Sequence, residues 1–489
     1  MSIPEEIVRH RLPGTEIKRV GNGFYIQRVK CVWVPETKKR RKIVTEYIGA
    51  VTAEGIVPKR TRQVPVDVVT HSLEYGATWV ARQMSADVLE CLDRHFGADA
   101  QWIYAAAVLR CIHPSAMRYL EHKYSSSFLC EAFPGLNLAS AHLSTAMKNL
   151  GRRRVAMEAF MREFVPSENW YALFDGTPLT CHSANIHEAQ RGYNSHGCHD
   201  PQINLMYALA LKDDRLAPVF YKRYPGNIRD VSAFRNMADA MGLKTALVLA
   251  DKGFTKKSEC RRLRLDGLLY IMPLRRNSKE YSRAPLHQAG RTGFDGRFKY
   301  NGRIIWFADA VQTDADGDRC CLYLDESLCH AETVSRLSKK IGRESAADVS
   351  AAAQKQLEFG TFVLKTCQND MTPETLYQTY KTREEIEQLF DTYKSEERFA
   401  TTGMHSSETQ EACLFLNHLS VMMAYRIYER LKQNGKLKEY AVQKTMEHLL
   451  KDIRVTRYGD TGQWQIEPVP KAARLALEAI GLTLPETPC

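Results

Sequence analysis

The 489-residue chain lacks any uninterrupted apolar run of 18 residues, and its mean hydropathy is −0.38. A membrane-spanning helix needs about 20 predominantly apolar residues, so a membrane protein is not expected. The most apolar window, residues 412–431, is interrupted by polar side chains, and we interpret it as a buried helix. The start, MSIPEEIVRHRLPG, carries charges where a secretory signal needs an apolar stretch, which predicts a cytoplasmic protein. The polar interruptions of the window are Asn417, His418 and Arg426.

Cysteine pairs with metal-binding spacing are also missing. The 13 cysteines are scattered, with one adjacent pair, Cys320-Cys321, and no C-x2-C spacing. A disulfide framework or a zinc ribbon is therefore not indicated, and reduced thiols are expected. One short segment comes nearest to a metal cluster, but its spacing matches no tetrahedral zinc pattern. Its residues are His182, His187, His196, Cys198 and His199.

Positive charge, by contrast, is abundant and clustered. The formal net charge is +11, and basic runs occur at residues 38–42, 59–62, 152–154 and 261–264. Such runs favour a polyanionic partner, most often nucleic acid. Each run taken alone is more often an ordinary solvated surface, so charge does not decide the partner. No helix-turn-helix signature, internal repeat or low-complexity tract is present.

The pattern of apolar and polar residues along the chain predicts an α/β protein with several regions. Residues 1–75 are β-rich and basic, with a hairpin formed by Gly23–Val34 and Lys42–Val51 around a basic tip. Residues 76–167 are helical, with Ser85 as the cap of one helix, and DNA binding is assigned to this region on charge alone. The remaining regions are a mixed sheet with helices at 168–275, a β-rich insertion at 276–358, a return to the α/β pattern at 359–400 and a helical tail at 401–489.

Two acids follow apolar strands of the predicted sheet, Asp175 in YALFDG and Asp251 in LVLADKGF. Ligands of open α/β sheets bind beyond the carboxyl ends of the strands. Either acid alone is also compatible with a turn aspartate that caps a loop. The pair suggests a site without establishing one.

A long helix is predicted to start at Thr372, a suitable N-cap, with Pro373 in its first turn. At 100° per residue, four side chains share a stripe about 60° wide. Apolar side chains at 386, 389, 390 and 393 occupy the neighbouring arc, which places the stripe at the margin of the core. An isolated surface ion pair between residues 383 and 387 is the plainer alternative. The stripe consists of Tyr380, Arg383, Glu387 and Lys394.

These residues give the sequence its resemblance to a known family. Tyr380-x2-Arg383-x3-Glu387-x6-Lys394 is similar to the Y-x2-R-x3-E-x6-K signature of DDE transposases of bacterial insertion sequences. Asp175 and Asp251 resemble the first two catalytic acids of that family, and YPGNIRD (224–230) resembles the loop between them. The resemblance implies an RNase H-like (retroviral-integrase-like) core with a β-rich insertion before the final acid.

The resemblance also implies the chemistry and the site. Asp175, Asp251 and Glu387 are expected to be catalytic and to bind two Mg²⁺ ions, for which Mn²⁺ can substitute, because hard cations prefer carboxylates and a metal pair can activate both reacting oxygens. No covalent protein nucleophile is then needed.

The same resemblance implies the partners. Tyr380, Arg383 and Lys394 are expected to contact DNA phosphates, and Trp306 to stack on a displaced base or else to be a core residue. Double-stranded DNA at the element's terminal inverted repeats and at the target is the expected partner, bound by a dimer at the nucleoid. The alternatives are a nuclease or resolvase of the same fold, and a catalytically inactive, domesticated DNA-binding protein.

Overall fold

A computed structural model describes residues 3–35, 38–59, 71–113, 116–192, 200–228, 230–244, 246–249, 257–313, 317–338, 355–383, 404–457 and 462–488. The chain divides into two compact units. The first comprises Met1–Thr70 with Tyr458–Gly462, and the second comprises His71–Arg457 with Gln463–Cys489. Within the described ranges, no helix is long and apolar enough to cross a membrane.

The first unit is an antiparallel sheet of the order β1-β2-β3-β4. Its strand β2 has the predicted bounds, and β3 begins three residues earlier than predicted, so that most of the basic tip lies in a strand. A small core closes the unit and contains Ile7, Ile17, Ile26 and Val51. The elements are a helix at Glu5–Val8, β1 (Thr15–Val20), β2 (Gly23–Val34), β3 (Lys39–Thr52) and β4 (Gly55–Pro58).

The second unit is a mixed α/β structure around a large sheet. Among the described residues this sheet has nine strands in the order β11-β12-β13-β14-β10-β9-β6-β7-β8, in which β9 runs parallel to β6 and to β10. The strands are β6 (Tyr171–Thr180), β7 (Gln202–Lys212), β8 (Arg215–Pro225), β9 (Leu247–Leu249), β10 (Leu269–Leu274), β11 (Gly296–Tyr300), β12 (Arg303–Thr313), β13 (Arg319–Asp325) and β14 (Thr361–Thr366).

Strands of the predicted insertion, β11 to β13, continue this sheet instead of forming a second one. The connection is made by β13, which pairs with β14 from Arg319 to Leu324. Since β14 also pairs with β10, the hydrogen-bonded ladder runs without interruption from the insertion into the strands that follow residue 168. The segment is therefore structurally continuous with the sheet.

The helices of the amino-terminal half share their core with the sheet. Phe96 and Phe160, for example, pack against Phe415 of the Ser407–Gln433 helix. Ser85 precedes the Ala86–Phe96 helix as predicted, but its hydroxyl donates to the Ala81 carbonyl at 2.6 Å instead of capping. The helices of this half are Gly76–Met84, Ala86–Phe96, Ala100–Ile112, Leu120–Ser125, Leu129–Ala132, Ser140–Gly151 and Arg154–Arg162.

The carboxyl-terminal region contains the predicted buried helix, Ser407–Gln433, which begins with a capping box at Ser406. The expectation that the whole tail is helical was wrong, because β15 (Arg454–Arg457) pairs with β16 (Trp464–Ile466) and with β5 (His71–Glu74). A distant strand thus completes a small sheet that no local pattern signals. Other helices of the second unit are Asp230–Met241, Lys257–Leu265, Glu326–Ser338, residues 373–383, Val442–Asp452 and Lys471–Ala479.

Helices cover both faces of the large sheet. Phe174 contacts Phe234 of the Asp230–Met241 helix at a ring distance of 4.7 Å. Tyr207 points to the other face, where its hydroxyl lies 2.9 Å from Nδ1 of His418 in the Ser407–Gln433 helix. Since cross-strand partners share a face, Asp175, which pairs with Tyr207, belongs to the His418 side.

Candidate active site

Asp175 lies within a strand and not at its end, which corrects the prediction. Strand β6 continues to Thr180 because β7 pairs with it along its whole length. The pairing of β6 with β9 stops earlier, at Leu173 with Leu249. Asp175 therefore lies where β6 extends beyond its parallel neighbour, and its side chain is 20% exposed. A carboxylate there is held by a rigid strand yet remains accessible.

The second acid, Asp251, lies outside the described residues, as do Glu387 and Lys394. The sequence nevertheless relates the two aspartates through the strands that precede them. Leu173 and Leu249 are partners in the parallel register, and each is followed two residues later by one of the two aspartates. Three members of the weak zinc cluster, His196, Cys198 and His199, also lie outside the described residues.

The helix at 373–383, here called the signature helix, starts as predicted. The Thr372 hydroxyl accepts a hydrogen bond from the Thr375 amide at 3.2 Å, so Thr372 is the N-cap and Pro373 follows in the first turn. The Pro373 carbonyl accepts a further bond from the Tyr323 hydroxyl at 2.8 Å. This bond fixes the start of the helix to β13.

An aromatic cluster, here called the aromatic platform, holds the signature helix on the sheet. Tyr377 is fully buried, and its ring lies 5.2 to 5.4 Å from four other rings. Lys381 adds a cation–π contact, with its Nζ 5.6 Å from the centre of the Tyr377 ring. The four rings belong to β11, β13 and β14, so the β-rich insertion supplies most of the surface on which the helix rests. The platform consists of Phe298, Tyr300, Tyr323, Phe362 and Tyr377.

The placement of the stripe at the margin of the core was wrong for its described part. Leu376 and Tyr377, one turn before Tyr380 and on either side of it, are fully buried, and Arg383 is only 8% exposed. Tyr380 is half-buried, with its ring 6.3 Å from Phe362. The aromatic platform packs against the face of the helix that contains Tyr377. Residues three or four positions after Tyr377 share that face and therefore lie against the platform as well.

Arg383 and Asp175 meet across this interface. Nη2 of Arg383 lies 3.8 Å from Oδ1 of Asp175, with the Arg383 side chain 10% exposed. An ion pair so removed from solvent is screened weakly. The structure therefore joins the first acid to the signature helix. Glu387, the partner in the plainer surface pair, lies outside the described residues.

Two residues behind Asp175 were not identified as part of the site from the sequence. Tyr207 is the cross-strand partner of Asp175, and its hydroxyl contacts His418. Burial lowers the pKa of His418 to about 3, so its imidazole is neutral at physiological pH. The only sequence signal was the polar Asn417-His418 pair inside an apolar helix, which indicated an interruption and no partner.

The described part of the YPGNIRD loop packs tightly against the start of β7 and against Gln190. Asn204 donates to the carbonyls of Gly226 and Ile228 at 3.1 and 2.9 Å. A Cβ on Gly226 would lie 2.2 Å from the carbonyl oxygens of Gln190 and Gln202. Only glycine allows this close backbone approach.

Trp306 does not lie with Asp175 and the signature helix. In β12 it pairs with Arg297 and Leu324, whereas its neighbours Ile305 and Phe307 pair with the residues of the platform face. Since side chains alternate along a strand, Trp306 points to the opposite face of the sheet from Phe298. There the Arg297 guanidinium lies 5.1 Å from the centre of its half-buried ring.

Comparisons with known proteins give one family and one group of structures. The profile of the family described as transposase DDE domain matches residues 167–423. No curated protein matches the chain. Among solved structures, a piggyBac transposase synaptic complex with hairpin DNA is similar, with 10% identity, a TM-score of 0.40, and coverage of 77% of this chain and 79% of that one.

Proposed function

Because this chain belongs to the transposase DDE domain family, we propose that it is the transposase of an insertion sequence of the Y-x2-R-x3-E-x6-K branch. In this proposal it binds the terminal inverted repeats of its element, cleaves the DNA there and transfers the freed strands to a target. An RNase H-like core carries the reaction. The mixed sheet, with β9 parallel to β6 and Asp175 on β6, supports that part of the proposal.

One observation carries the proposal: the contact between Asp175 and Arg383. It links a strand acid to the helix that carries Tyr380 and Arg383, the first two signature residues, which sequence spacing alone could not do. Glu387 follows Arg383 by four residues in sequence. We propose Asp175, Asp251 and Glu387 as the catalytic acids.

Carboxylates of these acids fit a divalent metal site. The Asp175 carboxylate offers hard oxygen donors on a rigid strand and is partly accessible. When bound, two Mg²⁺ ions, or Mn²⁺ in their place, would activate the attacking oxygen and stabilise the leaving one. The described contribution of the chain is to hold Asp175 on β6 and the signature helix on the aromatic platform.

Cations of the stripe are proposed to bind the DNA backbone. Arg383 would meet a phosphate near Asp175, where its fork of donors suits phosphate oxygens. Tyr380 and Lys394 would extend this contact along the strand. If Trp306 stacks on a base, it does so on the face of the sheet opposite to the aromatic platform and separately from the stripe residues. Since two ends must be held together for joining, we propose a dimer in the DNA complex, acting at the nucleoid.

The test is a cleavage and joining assay with the full-length protein. A supercoiled plasmid carrying both flanks of the coding region is incubated with Mg²⁺ and a target plasmid. Joined products from the wild type, and none from Asp175→Asn, would support the proposal. Asp213→Asn is the matched control, because Asp213 is an exposed turn residue that undergoes the same loss of charge.

Other outcomes would point elsewhere. Cleavage at the flanks without joined products would identify a nuclease or resolvase of the same fold. DNA binding without any metal-dependent cleavage by the wild type would identify an inactive, domesticated DNA-binding protein. Either result would overturn the proposed transposase.

A further inference from the structure

The outer part of the β2–β3 hairpin, residues 28–34 and 39–47, is here called the ribbon. Beyond Arg28, β3 is the only strand that pairs with β2 in the described residues, because β1 pairs with β2 only up to that residue. The last contact on that side is the Val29 amide, which donates to the Gly14 carbonyl at 3.1 Å. On the other strand, β4 pairs with β3 only from Gly49 onward. The ribbon is therefore two strands wide, and residues 30–33 and 39–47 are all exposed.

Cations lie on both faces of the ribbon. The register pairs Arg40 with Trp33 and Arg41 with Val32, so these two arginines point to opposite faces. Among the described residues no acid lies within ion-pair distance of four of the cations, whereas Arg28 contacts Glu46 and Lys42 contacts Glu16. The four are Lys30, Lys39, Arg40 and Arg41.

Large apolar side chains are exposed between these cations. Trp33 is 56% exposed and Val44 is 50% exposed, values that leave their apolar surface in water. An exposed apolar surface on a strand pair of this kind is typical of a binding site, and its positive charge indicates a negatively charged partner. A protein partner would need a complementary acidic surface, whereas a nucleic acid supplies negative charge along its whole length. The remaining exposed apolar residues of the ribbon are Val32, Ile43 and Tyr47.

We infer that the ribbon is a binding element for duplex DNA that enters the major groove. A two-stranded ribbon fits that groove, which is about 12 Å wide. The seven residues of β2 from Arg28 to Val34 extend over about 20 Å at 3.4 Å per residue. Cations on both faces suit an element lying between two phosphate backbones, while Trp33 and the aliphatic side chains offer apolar contacts to base edges.

This inference rests on the proposed function for its choice of DNA, and it adds an element that the acids and the signature helix do not provide. It also assigns DNA binding to the β-rich amino-terminal unit, where the sequence had assigned it to the helical region 76–167. Trp33, Arg40 and Arg41 are exposed, so substituting them leaves the small core of this unit intact.

The experiment measures duplex binding by the full-length protein in EDTA, which removes divalent cations. The probe is a labelled mixed-sequence duplex of about 30 base pairs, roughly three helical turns. We expect Arg40→Ala combined with Arg41→Ala to weaken binding about tenfold or more and to reduce the slope of log K against log salt by about two units. The matched control is Lys212→Ala with Arg215→Ala, which removes two exposed cations at the β7–β8 turn.

A second readout follows the tryptophan itself. Binding should change the intrinsic fluorescence of the wild type, and Trp33→Phe should remove most of that change while leaving the melting temperature unaltered. Unchanged affinity and salt slope in the double arginine variant would overturn the inference. So would equal losses in the control pair, or a change only in self-association, which would make the ribbon a protein interface.

Failure of this inference can be separated from failure of the proposed function. A ribbon variant that binds like the wild type, while the wild type cleaves and joins plasmid ends, would reject the ribbon alone. Ribbon-dependent duplex binding in a protein that never cleaves DNA would retain the ribbon and reject the transposase.

Discussion

Arg383 of the signature helix lies 3.8 Å from Asp175 of strand β6, and both side chains are largely buried. The contact brings together two segments that lie far apart in the sequence. It depends on the aromatic platform, because Tyr377 anchors the helix between β11, β13 and β14. The β-rich insertion thus has a structural task, which is to carry the helix that faces Asp175.

Asp175→Asn should abolish DNA cleavage in a protein that still folds. The amide keeps the size of the side chain but lacks the negative charge that a divalent cation requires. Asp251→Asn and Glu387→Gln should behave in the same way if the three acids share one metal pair. Plasmid cleavage and the melting temperature are measured together. Residual cleavage near the wild-type level in any of the three would remove that residue from the proposed site.

Cleavage should require Mg²⁺ or Mn²⁺, and Ca²⁺ should support DNA binding without efficient turnover. Ca²⁺ takes more ligands at longer distances and so misplaces the reacting oxygens. The measurement is plasmid cleavage and duplex binding in each cation and in EDTA. Full cleavage in EDTA would contradict the metal-dependent mechanism.

Arg383→Ala should weaken binding to DNA from the element's ends and lower the salt slope by about one unit, because one phosphate contact is lost. Lys394→Ala should do the same. Base preference should change little, since phosphate contacts position the duplex without reading it. Arg383→Lys is the matched variant, which keeps the charge but loses the fork of donors. If both alanine variants retained wild-type binding, salt slope and cleavage, the phosphate role would be wrong.

Tyr377→Ala should destabilise the protein by about 3 to 5 kcal/mol, the usual cost of truncating a buried aromatic side chain. It should also reduce cleavage in the fraction that remains folded, because the signature helix loses its anchor. Tyr377→Phe keeps the ring and should cost far less. Thermal unfolding and plasmid cleavage are compared in the three proteins. Equal stability of the alanine variant and the wild type would show that the platform does not hold the helix.

His418 should make the protein less stable in acid. Burial lowers its folded-state pKa to about 3, whereas an unfolded histidine has a pKa of about 6.5. Between these two pKa values the unfolded state therefore binds a proton that the folded state does not. The free energy of unfolding falls as the pH is lowered from about 6.5 toward about 3. His418→Gln cannot titrate in this range.

Thermal unfolding at about pH 7.5 and about pH 5.5 measures the effect. Between these pH values the wild type should lose about 1 kcal/mol or slightly more stability than His418→Gln loses. An equal loss in the two proteins would mean that His418 is accessible to protons in the folded state.

By itself the sequence determined the elements whose signals are local. The bounds of β2, the buried Ser407–Gln433 helix and the Thr372 cap were predictable, because alternation, apolar content and capping chemistry depend on neighbouring residues. The signature spacing and its resemblance also predicted a DDE transposase, which the family match over residues 167–423 confirms. The insertion-sequence branch stays a proposal.

Tertiary structure decided what depends on distant partners. Asp175 lies mid-strand because β7 continues past it, and the tail contains β15 because β5, about 380 residues away, pairs with it. The buried orientation of Arg383 follows from the rings that surround Tyr377, none of which its own helix supplies. Helical periodicity fixes which residues share a face, but only the packed neighbours decide which face is buried.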